Sequence, residues 1–114
     1  MPDDCLFCKM ASGAMDVPKL HDDELLFAIR DINPRAPVHL LIVPKQHIPD
    51  ARHVGGEHGA TLARMYAVAA QLAESEGIRE RGYRLAVNVG EDGGMTISHL
   101  HLHLLGGRHL GAEG

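Results

Sequence analysis

Leucine and histidine alternate along residues 99–104, near the end of the chain. A period of two is typical of a β-strand, because successive side chains point to opposite faces of a sheet. The pattern predicts a final strand over 96–105, which two glycines close. It places three leucines on one face and three imidazoles on the other, those of His99, His101 and His103.

Hydrophobic patterning elsewhere predicts three more strands and two helices. Apolar and β-branched residues favour strands over 24–30, 38–43 and 83–89. Apolar positions at steps of three and four predict a main helix over 57–76, with Gly77 as its C-terminal cap. A short N-terminal helix is expected over 7–12. These elements predict an α+β fold with an antiparallel sheet, in a single domain over 1–114.

Composition narrows the class of partner. The 114 residues carry a formal charge of −4 with histidine neutral. This leaves no overall basic field that would attract nucleic-acid polymers or anionic membranes, so any phosphate site must be built locally. No apolar run near the N-terminus could serve as a signal peptide or membrane span. We therefore expect a cytoplasmic protein whose partner is neither a nucleic-acid polymer nor a membrane.

The alternating histidines admit three interpretations. They could be hydrogen-bonded core residues, although packing does not need three in alternation. Their ring nitrogens could bind zinc and activate water, because two histidines separated by one residue on a strand can share a metal. A neutral imidazole could instead attack an electrophile, while its neighbours donate hydrogen bonds to the charge that develops.

Two cysteines, Cys5 and Cys8, are separated by two residues, a spacing found in metal sites and redox pairs. In a reducing compartment a permanent disulfide is not expected. A catalytic dithiol is disfavoured, since nothing around the pair resembles a thioredoxin-like unit. The two interpretations left are a pair of half-buried thiols and two of the four ligands of a structural zinc ion.

With its alternating histidines followed by apolar residues, the sequence resembles the histidine triad (HIT) proteins. Other segments match that family in order and spacing: 31–39, 43–48, 82–84, Asn88 and 92–94. The resemblance extends over about 5–108 and implies a HIT-like antiparallel sheet of about five strands, one main helix and a short N-terminal helix. Residues 106–108 resemble the Hint branch, which hydrolyses purine nucleoside phosphoramidates.

The resemblance implies catalytic roles. His101 corresponds to the nucleophile, which forms a nucleotidyl-histidine intermediate, and His103 would hydrogen-bond a non-bridging phosphate oxygen. His39 corresponds to a fourth histidine that holds the triad in position. Thr96 stands where the family usually has a serine that assists the leaving group, three residues before the first histidine of the triad, His99.

A nucleotide-binding set is implied in the same way. Asp31 matches the acidic residue that accepts hydrogen bonds from the ribose hydroxyls, and Ile29 would line the base pocket. Asn88 matches a polar residue near the leaving group. Backbone amides of the loop that ends at Gly94 are expected near the phosphate. The implied nucleotide-binding set also includes Thr96, His101 and His103.

The family also suggests ligands that would complete a zinc site. In many bacterial relatives the two cysteines are joined by the histidine after Pro-Lys-x and by the first histidine of the triad. The corresponding residues here are His47 and His99, so a Cys5, Cys8, His47 and His99 set is expected to hold a structural zinc ion. If His99 binds zinc, the working triad becomes a pair of histidines plus a ligand.

The implied partner is a purine nucleotide of the AMP or GMP type, and family members of this size commonly form homodimers. Two other function classes stay open at this point. A zinc-dependent hydrolase would lose turnover with chelators and form no covalent intermediate. A nucleotide-binding module would bind AMP with little turnover.

Overall fold

The computed structural model describes residues 4–113 and has an antiparallel sheet of five strands with two helices. The strands are β1 (His21–Asp22), β2 (Leu26–Arg30), β3 (Val38–Pro44), β4 (Tyr83–Ala86) and β5 (Leu102–Gly106), in the spatial order β1-β2-β3-β5-β4. The helices are α1 (Leu6–Ser12) and α2 (Gly59–Ser75). The predicted α+β fold is confirmed. Neither helix within residues 4–113 is long and apolar enough to cross a membrane.

One face of the sheet packs against α2. Side chains at alternate positions of β3 and β5 meet one side of this helix, and all are buried: Leu40, Ile42, Leu102, Leu104, Met65, Val68, Ala69 and Leu72. Each fully buried leucine or isoleucine contributes about 1.5–3 kcal/mol relative to an exposed one. This core fixes β5, and therefore the segment before it, against the rest of the sheet.

The two ends of α2 are fixed by different local structures. The predicted cap at Gly77 is present, with φ +75°, and the amide of Ile78 donates to the Ala73 carbonyl at 3.0 Å. This is the bonding of a Schellman motif, and it favours glycine because the left-handed conformation disfavours a Cβ. At the other end α2 begins at Gly59 rather than 57, because residues 56–58 form a 3₁₀ turn.

The opposite face, here called the histidine face, is covered in part by α1. Apolar residues of β2 and β3 pack there against Phe7 and Met10, and they are Phe27, Ile29, Leu41 and Val43. The helix begins at Leu6, and the Cys5 sulfur caps it by accepting a hydrogen bond from the Cys8 amide. The N-terminal segment is thereby held beside the predicted histidines.

The final strand begins at Leu102, so the prediction that it starts at Thr96 is wrong. The last pair of β5 with β3 joins Leu102 to Ile42. Two residues further along β3 lies Pro44, which has no amide hydrogen with which to continue the pairing. The Leu100 amide instead donates to the Ile48 carbonyl at 2.7 Å.

Two other strand boundaries differ from the prediction. β4 ends at Ala86 rather than 89, and its last pair with β5 joins Ala86 to His103, next to the first residue of β5. β2 begins at Leu26 rather than 24, since the Asp23 carboxylate binds the amides of Leu25 and Leu26 in a turn. The two-residue strand β1 was not expected from the pattern.

Candidate active site

The predicted histidines lie together on the histidine face. His103 belongs to β5, whereas His101 and His99 precede the strand in irregular backbone. All three side chains are buried, and so is His39 in β3. The three alternating leucines pack in the α2 core, so the separation of leucines from histidines is confirmed although the strand is shorter than predicted.

The hydrogen bonding of His101 determines which of its nitrogens is free to react. Its Nδ1 lies 2.7 Å from the His99 carbonyl oxygen. A carbonyl only accepts hydrogen bonds, so Nδ1 must carry the proton. In the neutral ring, Nε2 then holds a lone pair, which is the form required of a nucleophile.

A chain of hydrogen bonds fixes the tautomer of His103. The Arg35 amide donates to Nδ1 of His39 at 3.1 Å, so the proton of neutral His39 is on Nε2. That Nε2 donates to Nδ1 of His103 at 2.9 Å. His103 therefore carries its own proton on Nε2 and can donate it to an acceptor. The Asp31 carboxylate lies 3.4 Å from the same His39 nitrogen.

Burial favours the uncharged forms of His103 and His39. Desolvation by burial, reinforced by the proximity of His101, His39 and Arg35, lowers the pKa of His103 to about 4. Desolvation also lowers the pKa of His39, although the Asp31 carboxylate opposes it. The site thus offers imidazoles with assigned protons: Nε2 of His101 is free to act as a nucleophile, and Nε2 of His103 can donate a hydrogen bond.

A second cluster beside the triad has the composition of a metal site. One ligand atom from each of Cys5, Cys8, His47 and His99 lies within 4.8 Å of the others. Nδ1 of His99 is 3.1 Å from Nδ1 of His47 and 3.3 Å from the Cys5 sulfur, and the Cys8 sulfur is 3.2 Å from Nδ1 of His47. Ligands of a tetrahedral zinc ion are separated by about 3.3–3.8 Å for the usual bond lengths. The measured separations lie at or slightly below this range, so a small outward shift of the ligands would let the four residues hold such an ion.

The surroundings of the cluster also suit a metal. Nε2 of His99 donates to the Pro44 carbonyl at 2.7 Å, which leaves Nδ1 unprotonated and directed at the sulfurs. Histidine ligands of metals are commonly oriented in this way by their second nitrogen. Without a metal, burial and then the neighbouring Cys5 raise the pKa of Cys8 to about 11. Metal binding would release protons from the thiols.

Comparison with known proteins assigns the fold to a family. A model of the HIT domain family matches residues 13–110. The chain belongs to the HIT family. It is 45% identical over 111 residues to an Escherichia coli protein named purine nucleoside phosphoramidase, covering 97% of this chain and 93% of that protein. A HIT family hydrolase from Legionella pneumophila is 44% identical with TM-score 0.93, covering 96% of this chain and 98% of that one. A histidine triad protein from Clostridium difficile is 33% identical with TM-score 0.93, covering 100% of this chain and 99% of that one.

In this HIT domain the two residues expected at the nucleoside lie on the β2 side of the triad. Ile29 is buried in β2 and pairs with Leu41 of β3. Asp31 follows β2, and its amide donates to the His39 carbonyl at 3.0 Å. Its carboxylate accepts a hydrogen bond from the Asn33 amide at 2.8 Å, so it also holds the turn.

The residues expected near the phosphate and leaving group lie in the loop before the triad, and Thr96 is separated from the others. Asn88 donates to the Gly93 carbonyl at 2.7 Å and thereby shapes the loop. Gly94 has φ +79°, and its own amide donates to the Glu91 carbonyl within the loop. Thr96 is exposed and lines a cavity of about 380 Å³ that it shares with Cys5 and His47. The structure thus places the Thr96 hydroxyl on the side of the metal cluster.

Several contributors to the site could not be identified from the pattern. Phe7 packs edge-on against the rings of His99 and His101, with centroids 5.7 and 5.1 Å away. Its position between two cysteines indicates only a short helix. The acceptor of the His101 proton and the donor to His39 are main-chain groups, and every residue has those. Asp31, His39 and His103 also form a second group close enough to share a cation.

Proposed function

We propose that this protein is a hydrolase that cleaves the bond between a nucleoside monophosphate and an amine, through a nucleotidyl-histidine intermediate. The observation that carries the proposal is the bond from Nδ1 of His101 to the His99 carbonyl, which leaves Nε2 unprotonated. The purine nucleoside phosphoramidase name of the Escherichia coli relative supports the substrate class. We propose a purine nucleotide of the AMP or GMP type as the partner.

In the first step Nε2 of His101 attacks the α-phosphorus. A nitrogen–phosphorus bond to the ring forms as the bond to the leaving amine breaks, and the amine nitrogen takes one proton from solvent as it departs. Nε2–H of His103 donates to a non-bridging oxygen as charge shifts during the transfer. His39 is a positioning residue, because it fixes the proton of His103. We assign the Thr96 hydroxyl to the leaving amine.

In the second step water attacks the phosphorus of the intermediate. The bond to His101 breaks, its electron pair returns to Nε2, and the nucleoside monophosphate is released. The attacking water gives one proton to solvent, which balances the proton taken by the amine in the first step. We assign Asp31 to the ribose hydroxyls and Ile29 to the base. Asn88 and the loop ending at Gly94 are assigned to the leaving-group side of the phosphate.

We further propose that Cys5, Cys8, His47 and His99 hold a structural zinc ion. The donor set and its spacing support this assignment. Such an ion would tie the N-terminal helix to the sheet and stabilise the fold of a small domain. A homodimer is proposed from the family resemblance alone.

A metal-dependent hydrolase is the second candidate, favoured by the group of Asp31, His39 and His103. One experiment separates the two. The parent and the His101→Ala variant are incubated with a fluorogenic adenosine phosphoramidate, with and without chelator, and the parent is quenched for mass spectrometry. His58→Gln, a buried histidine outside the site, is the matched control.

Nucleophilic catalysis predicts an adenylyl adduct on His101 of the parent. It also predicts a fall of at least about a thousandfold in kcat for His101→Ala and little effect of chelator on folded protein. Normal turnover by His101→Ala would refute the proposal. Loss of turnover with chelator while the protein stays folded, without an adduct, would favour the metal-dependent alternative.

A further inference from the structure

The chain has two cysteines, Cys5 and Cys8, and they lie together at the start of α1. Both are free thiols, with Cys5 buried and Cys8 half-buried. Neither sulfur takes part in the reaction proposed above. Because the sequence contains no third cysteine, a disulfide within one chain can join only these two residues.

The positions of the two sulfurs favour a bond between them. Their Sγ atoms lie within 4.8 Å of each other in the metal cluster. The Lys9 amide donates to the Cys5 carbonyl at 3.0 Å, so the turn that joins the two cysteines is closed. Residues three apart in a helical turn have Cα atoms roughly 5 Å apart. Disulfides span Cα separations of about 4.4–6.8 Å, so side-chain rotation can bring the sulfurs to bonding distance.

A small oxidant can reach this pair from the Cys5 side. Cys5 lines the cavity of about 380 Å³ that also includes Asp4, Thr96 and Ser98. Those three residues are exposed, so the cavity is open to solvent. A water molecule takes about 30 Å³ of liquid volume, and hydrogen peroxide is only slightly larger. The cavity therefore admits a peroxide to the Cys5 sulfur.

The N-terminal helix has contacts that do not depend on the thiols. Phe7 and Met10 are buried against β2 and β3 on the histidine face. Nζ of Lys19 donates to the Met10 carbonyl at 3.1 Å. Because none of these contacts involves a sulfur of the cysteine pair, the oxidised chain should stay folded with α1 in place.

A disulfide and a metal ion compete for the same two sulfurs. The thiolate is the form of cysteine that binds zinc, and a sulfur in a disulfide no longer has that charge. Oxidation would leave His47 and His99 of the four ligands, with their Nδ1 atoms 3.1 Å apart. Structural zinc sites have four protein ligands, so two imidazoles alone would bind the ion much more weakly.

We propose that Cys5 and Cys8 form a reversible oxidation site, at which a peroxide converts the two thiols to a disulfide and the cluster can no longer hold a metal ion. The formation of the disulfide depends only on the two sulfurs and on access to them. The exclusion of the metal rests on the zinc site proposed above.

The oxidation consumes one peroxide for each disulfide. The Cys5 sulfur attacks a peroxide oxygen, the oxygen–oxygen bond breaks, and the departing hydroxide takes the thiol proton to become water, which leaves Cys5 as a sulfenic acid. The Cys8 sulfur then attacks the Cys5 sulfur, the sulfur–oxygen bond breaks, and a second water leaves with the Cys8 proton. The sulfurs lose two electrons, which reduce the peroxide. In zinc-loaded protein the two protons come from solvent instead.

The test treats the zinc-loaded parent with hydrogen peroxide and measures zinc release with a colorimetric chelator. Peptide mass spectrometry should find a disulfide between Cys5 and Cys8, in proportion to the zinc released. Added zinc should raise the melting temperature of the reduced chain but not of the oxidised chain, and dithiothreitol should restore that rise. Cys5→Ser and Cys8→Ser should form no disulfide within the chain. Ser12→Ala, an exposed change in the same helix, is the matched control and should behave as the parent does.

His47→Gln separates failure of this inference from failure of the zinc assignment, since it removes a proposed ligand and keeps both thiols. A disulfide in this variant and in metal-free parent supports the oxidation site even if purified protein contains no zinc. Three results would overturn the inference: thiols that stay reduced in excess peroxide, cysteines oxidised to sulfinic or sulfonic acid without a disulfide, or zinc that stays bound after the disulfide has formed. None of these measurements uses turnover, so they are independent of the proposed hydrolase activity.

Discussion

Replacing His39 with leucine tests the hydrogen-bond chain that assigns the proton of His103. Leucine has a similar volume and suits the surrounding apolar positions of β3, so packing changes little. It removes the acceptor for the Arg35 amide and the donor to Nδ1 of His103. His103 is then free to adopt either neutral tautomer.

The expected loss of stability in His39→Leu follows from the burial of the atoms that lose their partners. Nδ1 of His103 belongs to a side chain that is 6% exposed, and an unsatisfied buried polar atom costs about 1–3 kcal/mol. The Arg35 amide belongs to an exposed residue, so water replaces most of its lost bond. We expect a loss of about 2–3 kcal/mol in the free energy of unfolding, a sizeable part of the ~5–15 kcal/mol of a small domain. Loss of an aligned donor to the transition state should lower kcat by about 10- to 100-fold.

Three measurements check this prediction: urea unfolding, kcat with an adenosine phosphoramidate, and the ¹⁵N chemical shifts of the His103 ring. His39→Gln provides a donor and an acceptor in one side chain and should recover part of both losses. His58→Leu is the matched control, since it removes one buried acceptor, for the Gly55 amide, and should cost stability without changing kcat. Unchanged kcat in His39→Leu, with the His103 proton still on Nε2, would refute the reasoning.

Two further predictions concern acid stability and the metal. The pKa of His103 is about 4 in the folded protein and about 6.5 when unfolded, so the unfolded chain binds the extra proton between these values. The free energy of unfolding should therefore fall as pH decreases from about 6.5 to 4, by up to ~3 kcal/mol from this residue. Urea unfolding at a series of pH values should show a weaker dependence on pH for His103→Gln than for the parent. An equal dependence would contradict the lowered pKa of His103. Cys8→Ser or chelation should lower the melting temperature clearly, while the protein that stays folded should keep most of its specific activity. A metal analysis that finds no zinc in freshly purified protein would eliminate the metal assignment.

The alternation at 99–104 predicted correctly which face each side chain occupies, because the period of two belongs to extended backbone whether or not it is paired. It could not predict where pairing stops. That boundary depends on Pro44, a residue of another strand that becomes the neighbour only in the folded sheet. Patterns within one segment carry no information about such a partner.

The metal cluster and the hydrogen-bond partners of the triad differ in the same respect. The spacing of Cys5 and Cys8 indicates a possible metal site, and the family resemblance implies His47 and His99 as the other ligands. The His99 carbonyl, which accepts from His101, and the Arg35 amide, which donates to His39, are main-chain groups. Because every residue has such groups, no motif predicts which of them fix the protons of the triad.

Pro44 matters through its main chain more than through its ring. Within a strand the amide and carbonyl of one residue point to the same side, and here the carbonyl is directed at His99. Any other amino acid at position 44 would present an amide hydrogen to the segment before β5 and so favour further pairing of that segment with β3. Tolerance to substitution at this position should therefore follow backbone chemistry rather than side-chain size, and a screen that ranks residues by packing alone would misjudge it.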